Sequence, residues 1–180
     1  MAKWEPLLER VARERYPRLV GQAMLLVSSR ADAEDLVQEA LVSTFSSRAR
    51  FASVEQAEAY VRRAMASRAV DAGRRRSAER RASDRVAAVA TEAVVETPVP
   101  GFTSTVETAL AGLSPQVRAC VVLRHMDDLS VRQTAQVLRV SEGTVKRYVS
   151  DGVAALNAAL GTTGPQGDWI RVAQEGEGRG

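Results

Sequence analysis

Three groups of side chains in this 180-residue chain have types and spacings suited to more than packing. The first lies in "DAEDLVQEALVSTF", where Asp35 and Glu39 stand one helical turn apart with Gln38 beside them, so that all three project from one helix face. No Lys or Arg occurs within that stretch to pair the acids. DNA would repel such a face, whereas a basic protein groove would accept it. The second group is cationic. Nine Arg lie between Arg62 and Arg85 against Asp71, Glu79 and Asp84, a local charge of roughly +6. Guanidinium groups at that density suit phosphates, with a merely solvated Arg-rich helix end as the plain alternative. The third group is "SEGTVKRYVS", whose Ser141, Thr144, Lys146 and Arg147 are types that bond to phosphates and base edges.

Bond-making chemistry is poorly served by comparison. His125 is the only His and Cys120 the only Cys, and the chain has no metal-ligand cluster and no Gly-rich phosphate loop. His125 reads as a helix-end residue, since a lone imidazole has no partner to orient it. No catalytic residue, metal or cofactor is expected, and the protein is not expected to be an enzyme. A single cysteine precludes an internal disulfide and points to a reducing cytoplasm. No run of eighteen apolar residues occurs, and "MAKWEPLLER" lacks the apolar stretch of a signal peptide, so membrane insertion is not expected.

Apolar residues make up 45% of the chain but aromatics only 4%, so any core is built of Ala, Val and Leu, which suits packed helices better than sheets. The charge is unevenly spread: near −1 over the first sixty residues, strongly positive in the Arg run, and near zero after Thr105.

These groups must be held by helices. A first helical pattern runs from about Trp4 to Val27, interrupted near Pro17. A second begins with Asp32 as N-cap and continues to about Ser47. After the loop "SRARFASVE", Ser53 caps a third helix from near Glu55, and Gly73 marks its end. The pattern weakens from Ser77 to Thr105, where "RVAAVATEAVVE" is compatible with a short helix and "TPVPGFTST" is loop punctuation. Beyond it come "VETALAGL" and "SPQVRACVVLRHM", the latter with Ser114 as cap and Pro115 in first position. The segments "SVRQTAQVLRV" and "SEGTVKRYVSDGVAALNAAL" follow. Across their tight turn Ala135 is small where two helices would cross, Leu138, Val140, Val145 and Tyr148 supply buried positions, and Ser141 caps the second helix. Arg139 stands where many such turns carry Gly. This is the pattern of a helix-turn-helix, with an ordinary αα-hairpin as the alternative.

The expected architecture is all-α. Two small helical domains, residues 1–78 and 106–160, are joined by a flexible linker over 79–105, and a mobile tail occupies 161–180. The C-terminal domain holds the helix-turn-helix.

The segment "LSPQVRACVVLRHMDDLSVRQTAQVLRVSEGTVKRYVSDGVAAL" resembles region 4 of the extracytoplasmic-function (ECF) sigma factors of the sigma-70 family, whose pattern runs L-P/S-x-x-x-R…L-S-x-x-x-x-A-x-x-L-x-x-S-x-G-T-V-K. "DLVQE" and "AYVRRAMASRAVDAGRRR" are similar to two blocks of region 2 in the same family, with Tyr60 where the family usually has Trp and Ser67 where it has Asn. The resemblance spans most of residues 10 to 160. It implies a dissociable subunit that directs bacterial RNA polymerase to promoters. Asp35, Gln38 and Glu39 would meet the clamp helices of the polymerase core. Tyr60, Arg63, Ser67, Arg74, Arg75 and Arg76 would bind the minus-ten element, with the loop Arg48 to Ser53 helping to cradle an unstacked base. Ser141, Thr144, Lys146 and Arg147 would read the minus-thirty-five element, and the same domain would touch the flap. Promoter DNA and core polymerase are thus the implied partners, with an anti-sigma factor as a further one. Elements about 17 base pairs apart lie about 58 Å from one another. A linker of about 28 residues, drawn out, reaches roughly 95 Å.

Two other classes fit part of the sequence. A helix-turn-helix regulator with an N-terminal helical sensor or dimerisation domain explains the C-terminal motif but not the Arg-rich third helix. A pure interaction module is supported only by the acidic face.

Overall fold

The computed structural model describes residues 5–47, 49–86 and 105–161. Eight helices follow in order: α1 (Glu5–Glu14), α2 (Tyr16–Ala23), α3 (Arg30–Phe45), α4 (Val54–Val86), α5 (Thr105–Ala111), α6 (Pro115–His125), α7 (Val131–Leu138) and α8 (Glu142–Leu160). The described residues contain no strand, as the aromatic-poor composition implies. None of their helices is long and apolar enough to cross a membrane.

Helices α1 to α3 pack around the first half of α4. Leu8, Val11, Leu19, Val37, Val61 and Met65 are fully buried there. Charge reinforces the packing. Glu58, only 4% exposed, faces Arg18 at 3.4 Å and Arg15 at 3.8 Å, which ties α2 and the residue before it to α4.

Local capping sets most helix starts. Ser53 Oγ accepts from the Gln56 amide ahead of α4, and Ser114 Oγ accepts from the Val117 amide with Pro115 in the first turn of α6. The start of α3 differs from expectation. Ser29, not Asp32, is the N-cap: its hydroxyl accepts from the Asp32 amide at 3.1 Å, and Asp32 sits in the first turn, where its charge favours the helix dipole.

In the C-terminal half α8 lies against α6 and α7. Gly152 permits the closest approach, since a Cβ there would meet Val121 Cγ2 at 2.5 Å and Val117 Cγ1 at 2.9 Å. Ser130 and Gln133 form a capping box at the start of α7, and Ser141 caps α8. Between them Arg139 adopts φ 54°, ψ 48°, the left-handed conformation that the sequence pattern reserves for Gly. For a residue with a Cβ this costs roughly 1 kcal/mol. Arg139→Gly is therefore expected to stabilise the C-terminal half by up to about 0.5 kcal/mol, after allowing for the freer unfolded chain of Gly. Urea unfolding monitored by circular dichroism would measure it, and a lowered midpoint would contradict the strain.

Helix α4 departs most from the sequence expectation. It does not end at Gly73 but continues as one 33-residue helix to Val86, about 50 Å long. Gly73 serves a different purpose: a Cβ there would lie 2.7 Å from both Cβ and Cγ of Pro115, at the start of α6. Helices α6 and α7 thus pack on α4, and the two halves share one buried cluster that runs from Leu8 to Val145. The remainder of "RVAAVATEAVVE" beyond Val86, and the tail after Gly161 with Trp169, lie outside the described residues.

Candidate nucleic-acid and protein interfaces

Helix α3 buries Ala33, Leu36, Val37, Ala40 and Leu41, which turns Asp35, Gln38 and Glu39 outward together. Their face is not wholly unpaired, contrary to the reading of α3 alone. Arg68, from α4, reaches Glu39 at 3.4 Å and also donates to Ser43 Oγ, and Arg30 pairs with Glu34 at 2.9 Å. The sequence window could not reveal the Arg68 pair, because that residue lies 29 positions away. Asp35 makes no ion pair among the described residues. Val42, 65% exposed, continues the same stripe one turn beyond Gln38 and Glu39, with half-exposed Phe45 at its flank. The patch is an acidic rim beside an exposed apolar strip, and sequence periodicity alone gave no reason to include Val42 or Phe45.

On α4, at about 100° per residue, Tyr60, Arg63, Ser67 and Arg74 fall within about 60° of one another. Arg75 and Arg76 are exposed but point to other sides of the helix. Tyr60 is 37% exposed and meets the ring of Phe51 edge-on, with centroids 5.4 Å apart. An aromatic so held can offer its free surface for stacking without moving. Arg74 pairs loosely with Asp71 at 3.7 Å, and Arg81 donates to its own helix at the Ser77 carbonyl. Arg48, expected to help form the cradle, lies outside the described residues.

On α8, Val145 is fully buried and Tyr148 half-buried, which leaves Lys146 and Arg147 exposed in the opening turns. The Arg147 guanidinium lies 5.3 Å from the centre of the Tyr148 ring. Ser141 and Thr144 are committed to the cap: Ser141 Oγ accepts from the Thr144 amide at 3.0 Å, and the two hydroxyls bond at 2.8 Å. The arrangement is a helix-turn-helix whose second helix carries Glu142 in its first turn and exposed Lys146 and Arg147 in its second.

Residues 5–79 match sigma-70 region 2, and residues 104–156 match sigma-70 region 4. The chain is 33% identical over 161 residues to the RNA polymerase sigma-E factor of Streptomyces coelicolor, covering 84% of this chain and 85% of that protein. The chain belongs to the sigma-70 family. It is a sigma factor of the ECF type, acting in transcription initiation with core polymerase and promoter DNA. The sigma-E factor of Streptomyces avermitilis is 34% identical over 167 residues, with 89% of each chain covered. Among solved structures, the sigma factor RpoE in complex with the anti-sigma factor NepR from Bartonella quintana superposes with a TM-score of 0.58, covering 86% of this chain and 99% of that one. At 22% identity that likeness speaks for the fold.

Region 4 is held to region 2 by polar contacts that the sequence did not announce. Asp127, in the turn after α6, accepts from Gln22 Nε2 at 2.7 Å and faces Arg62 at 3.3 Å. Burial pushes its carboxyl up from the ordinary carboxylate range, opposed by the Gln22 hydrogen bond and by the Arg62 and Arg63 charges. Arg118, 6% exposed, donates to the carbonyls of Ala111, Leu113 and Leu26. Its place in the region 4 pattern made Arg118 recognisable, but not its task.

Cys120 and His125 differ in placement, the first in the core and the second exposed at the end of α6. Cys120 is fully buried, and desolvation pushes its thiol up to about 11. At neutral pH it is a small hydrophobe. His125 ends α6, with its pKa lowered by burial and by the neighbouring Arg124 charge. The described residues contain no group of His, Cys, Asp and Glu fit to hold a metal ion.

Proposed function

We propose how the family's activity is divided among the residues of this chain. Asp35, Gln38 and Glu39, extended by Val42, bind the polymerase clamp. Tyr60, Arg63, Ser67 and Arg74 contact the minus-ten element, Tyr60 by stacking and the arginines by phosphate contacts. Arg75 and Arg76 add positive field from the exposed end of α4. Lys146 and Arg147 read the minus-thirty-five element, while Ser141 and Thr144 set the N-terminus of α8 against the phosphate backbone. The protein acts in the cytoplasm and carries no catalytic residue of its own, the chemistry belonging to core polymerase. An anti-sigma factor is a further partner, in keeping with the Bartonella sigma factor crystallised with one.

The observation that carries this reading is the common stripe of Tyr60, Arg63, Ser67 and Arg74 on α4, which a solvated helix end would not require. In vitro transcription with purified core polymerase and a promoter library tests it. The wild-type chain is expected to give initiation at a defined set of sequences. Arg147→Ala should cost about 1–3 kcal/mol at the upstream element and relax preference at one base pair. Uniform weakening across sequences would make Arg147 a phosphate contact. Binding to a palindrome as a dimer, with no polymerase-dependent initiation, would favour the regulator reading instead.

A further inference from the structure

The turn of the helix-turn-helix holds a strain that no contact of its own side chain offsets. Leu138 before it is buried, Val140 after it is half-buried, and Ser141 is fixed by its capping bonds, so neighbours set the path of the turn. The amides of Arg139 and Val140 both donate to the Ala135 carbonyl, which closes the turn and leaves position 139 in the left-handed region. Gly adopts that conformation freely and Arg does not. The Arg139 side chain is exposed and makes no ion pair among the described residues, not even with Glu142, the nearest acid in the sequence.

The place of that guanidinium on the motif gives it a task. Arg132, Gln136 and Arg139 follow one another at i, i+4 and i+7, on the side of α7 away from buried Thr134, Ala135 and Leu138. Arg132 is likewise exposed and in no ion pair among the described residues. In a helix-turn-helix the first helix crosses the DNA backbone while the second enters the major groove. The turn between them therefore stands at the edge of the groove, where the phosphates run. Glu142 brings a carboxylate to the same edge, so a phosphate that approaches there needs a cation to meet it.

We infer that Arg139 is a further DNA-binding residue of this chain, its guanidinium bonding a backbone phosphate at the edge of the minus-thirty-five element. A Gly at the turn could not make that contact. Because the partner is a phosphate and not a base, the contact adds affinity and fixes the register of α8 without reading sequence. Position 139 gives up some stability of the fold for affinity to promoter DNA. The inference rests on the assignment of α8 to the upstream element proposed above.

Arg139→Gly tests this, because it removes the guanidinium and the strain together. The probe is a labelled duplex of a promoter on which the wild-type holoenzyme initiates, bound by holoenzyme over a salt series. The variant is expected to bind about three- to tenfold more weakly at about 0.1 M salt, and its log affinity should fall less steeply with log salt by about 0.9, the share of one phosphate. The loss should be alike on promoters that differ in their upstream element. The same substitution is expected to raise the urea midpoint, so weaker binding would not come from a poorer fold. Arg139→Asn, which tolerates the left-handed region but keeps a Cβ, should match Gly, and Arg139→Lys should keep the wild-type salt slope. On a duplex cut short of the minus-thirty-five element, all three should bind as wild type does. Wild-type affinity and salt slope in Arg139→Gly, with Arg147→Ala weakened in the same assay, would overturn the contact. No change in either variant would overturn the assignment of α8 to the upstream element instead. A loss with Gly that Asn does not share would trace to a loosened turn, and a loss that depends on one base pair would trace to a base, and either would overturn the phosphate role.

Discussion

Replacing Asp35 and Glu39 together by Lys is expected to weaken association with core polymerase roughly a hundredfold or more while leaving the helical fold intact. Both residues are exposed on α3, so neither supplies core packing. Within the described residues the double change breaks one ion pair, that of Glu39 with Arg68, at 3.4 Å between side chains 60% and 37% exposed. A surface pair of that kind contributes about 0–1 kcal/mol at most. Even with an ammonium in place of the Glu39 carboxylate facing Arg68, both side chains can turn into solvent. At a basic protein groove the outcome differs, because two attractive contacts become two like-charge contacts where water is excluded. Affinity for core polymerase measured by fluorescence anisotropy, with circular dichroism as the fold control, would show it. Wild-type affinity in the folded double variant would end the assignment of this face to the clamp. DNA binding by region 4 should be untouched, since Asp35 and Glu39 lie in region 2.

Arg118→Ala is expected to cost region 4 about 3 kcal/mol or more of stability. One Arg118 nitrogen donates to the Ala111 carbonyl at 2.7 Å and to the Leu113 carbonyl at 3.1 Å, and the other to the Leu26 carbonyl at 3.3 Å. Ala111 ends α5, so its carbonyl is one that a helix leaves without an internal partner, and Leu113 lies in the short link between α5 and the Ser114 cap of α6. Truncation strips them of a charged donor in a site with little access to water. Arg118→Lys should recover only part of the loss, because an ammonium cannot reach carbonyls on two sides as a guanidinium fork does. Urea unfolding would measure both variants. A midpoint for Arg118→Ala equivalent to less than about 0.5 kcal/mol of change would refute this role.

Sequence alone determined whatever rests on neighbours within a turn or two. Ser53, Ser114 and Ser141 are read as caps and act as caps, since capping joins a hydroxyl to an amide three residues on. The helix-turn-helix was legible for the same reason, including the conformational demand at Arg139. The start of α3 was misplaced by three residues, because Asp32 was read as the cap that Ser29 supplies. Tertiary structure decided what depends on residues far apart in the chain. Gly73 looked like a helix terminator, but without a Cβ it also serves close packing, and only the position of Pro115 selects between these uses. Likewise the acidic face of α3 looked unpaired because Arg68 comes from another helix, and Asp127 gave no sign of Arg62, 65 positions earlier. A helix's local periodicity states which side is buried, but only the packed neighbour states against what, and charge pairs between elements follow from that second fact.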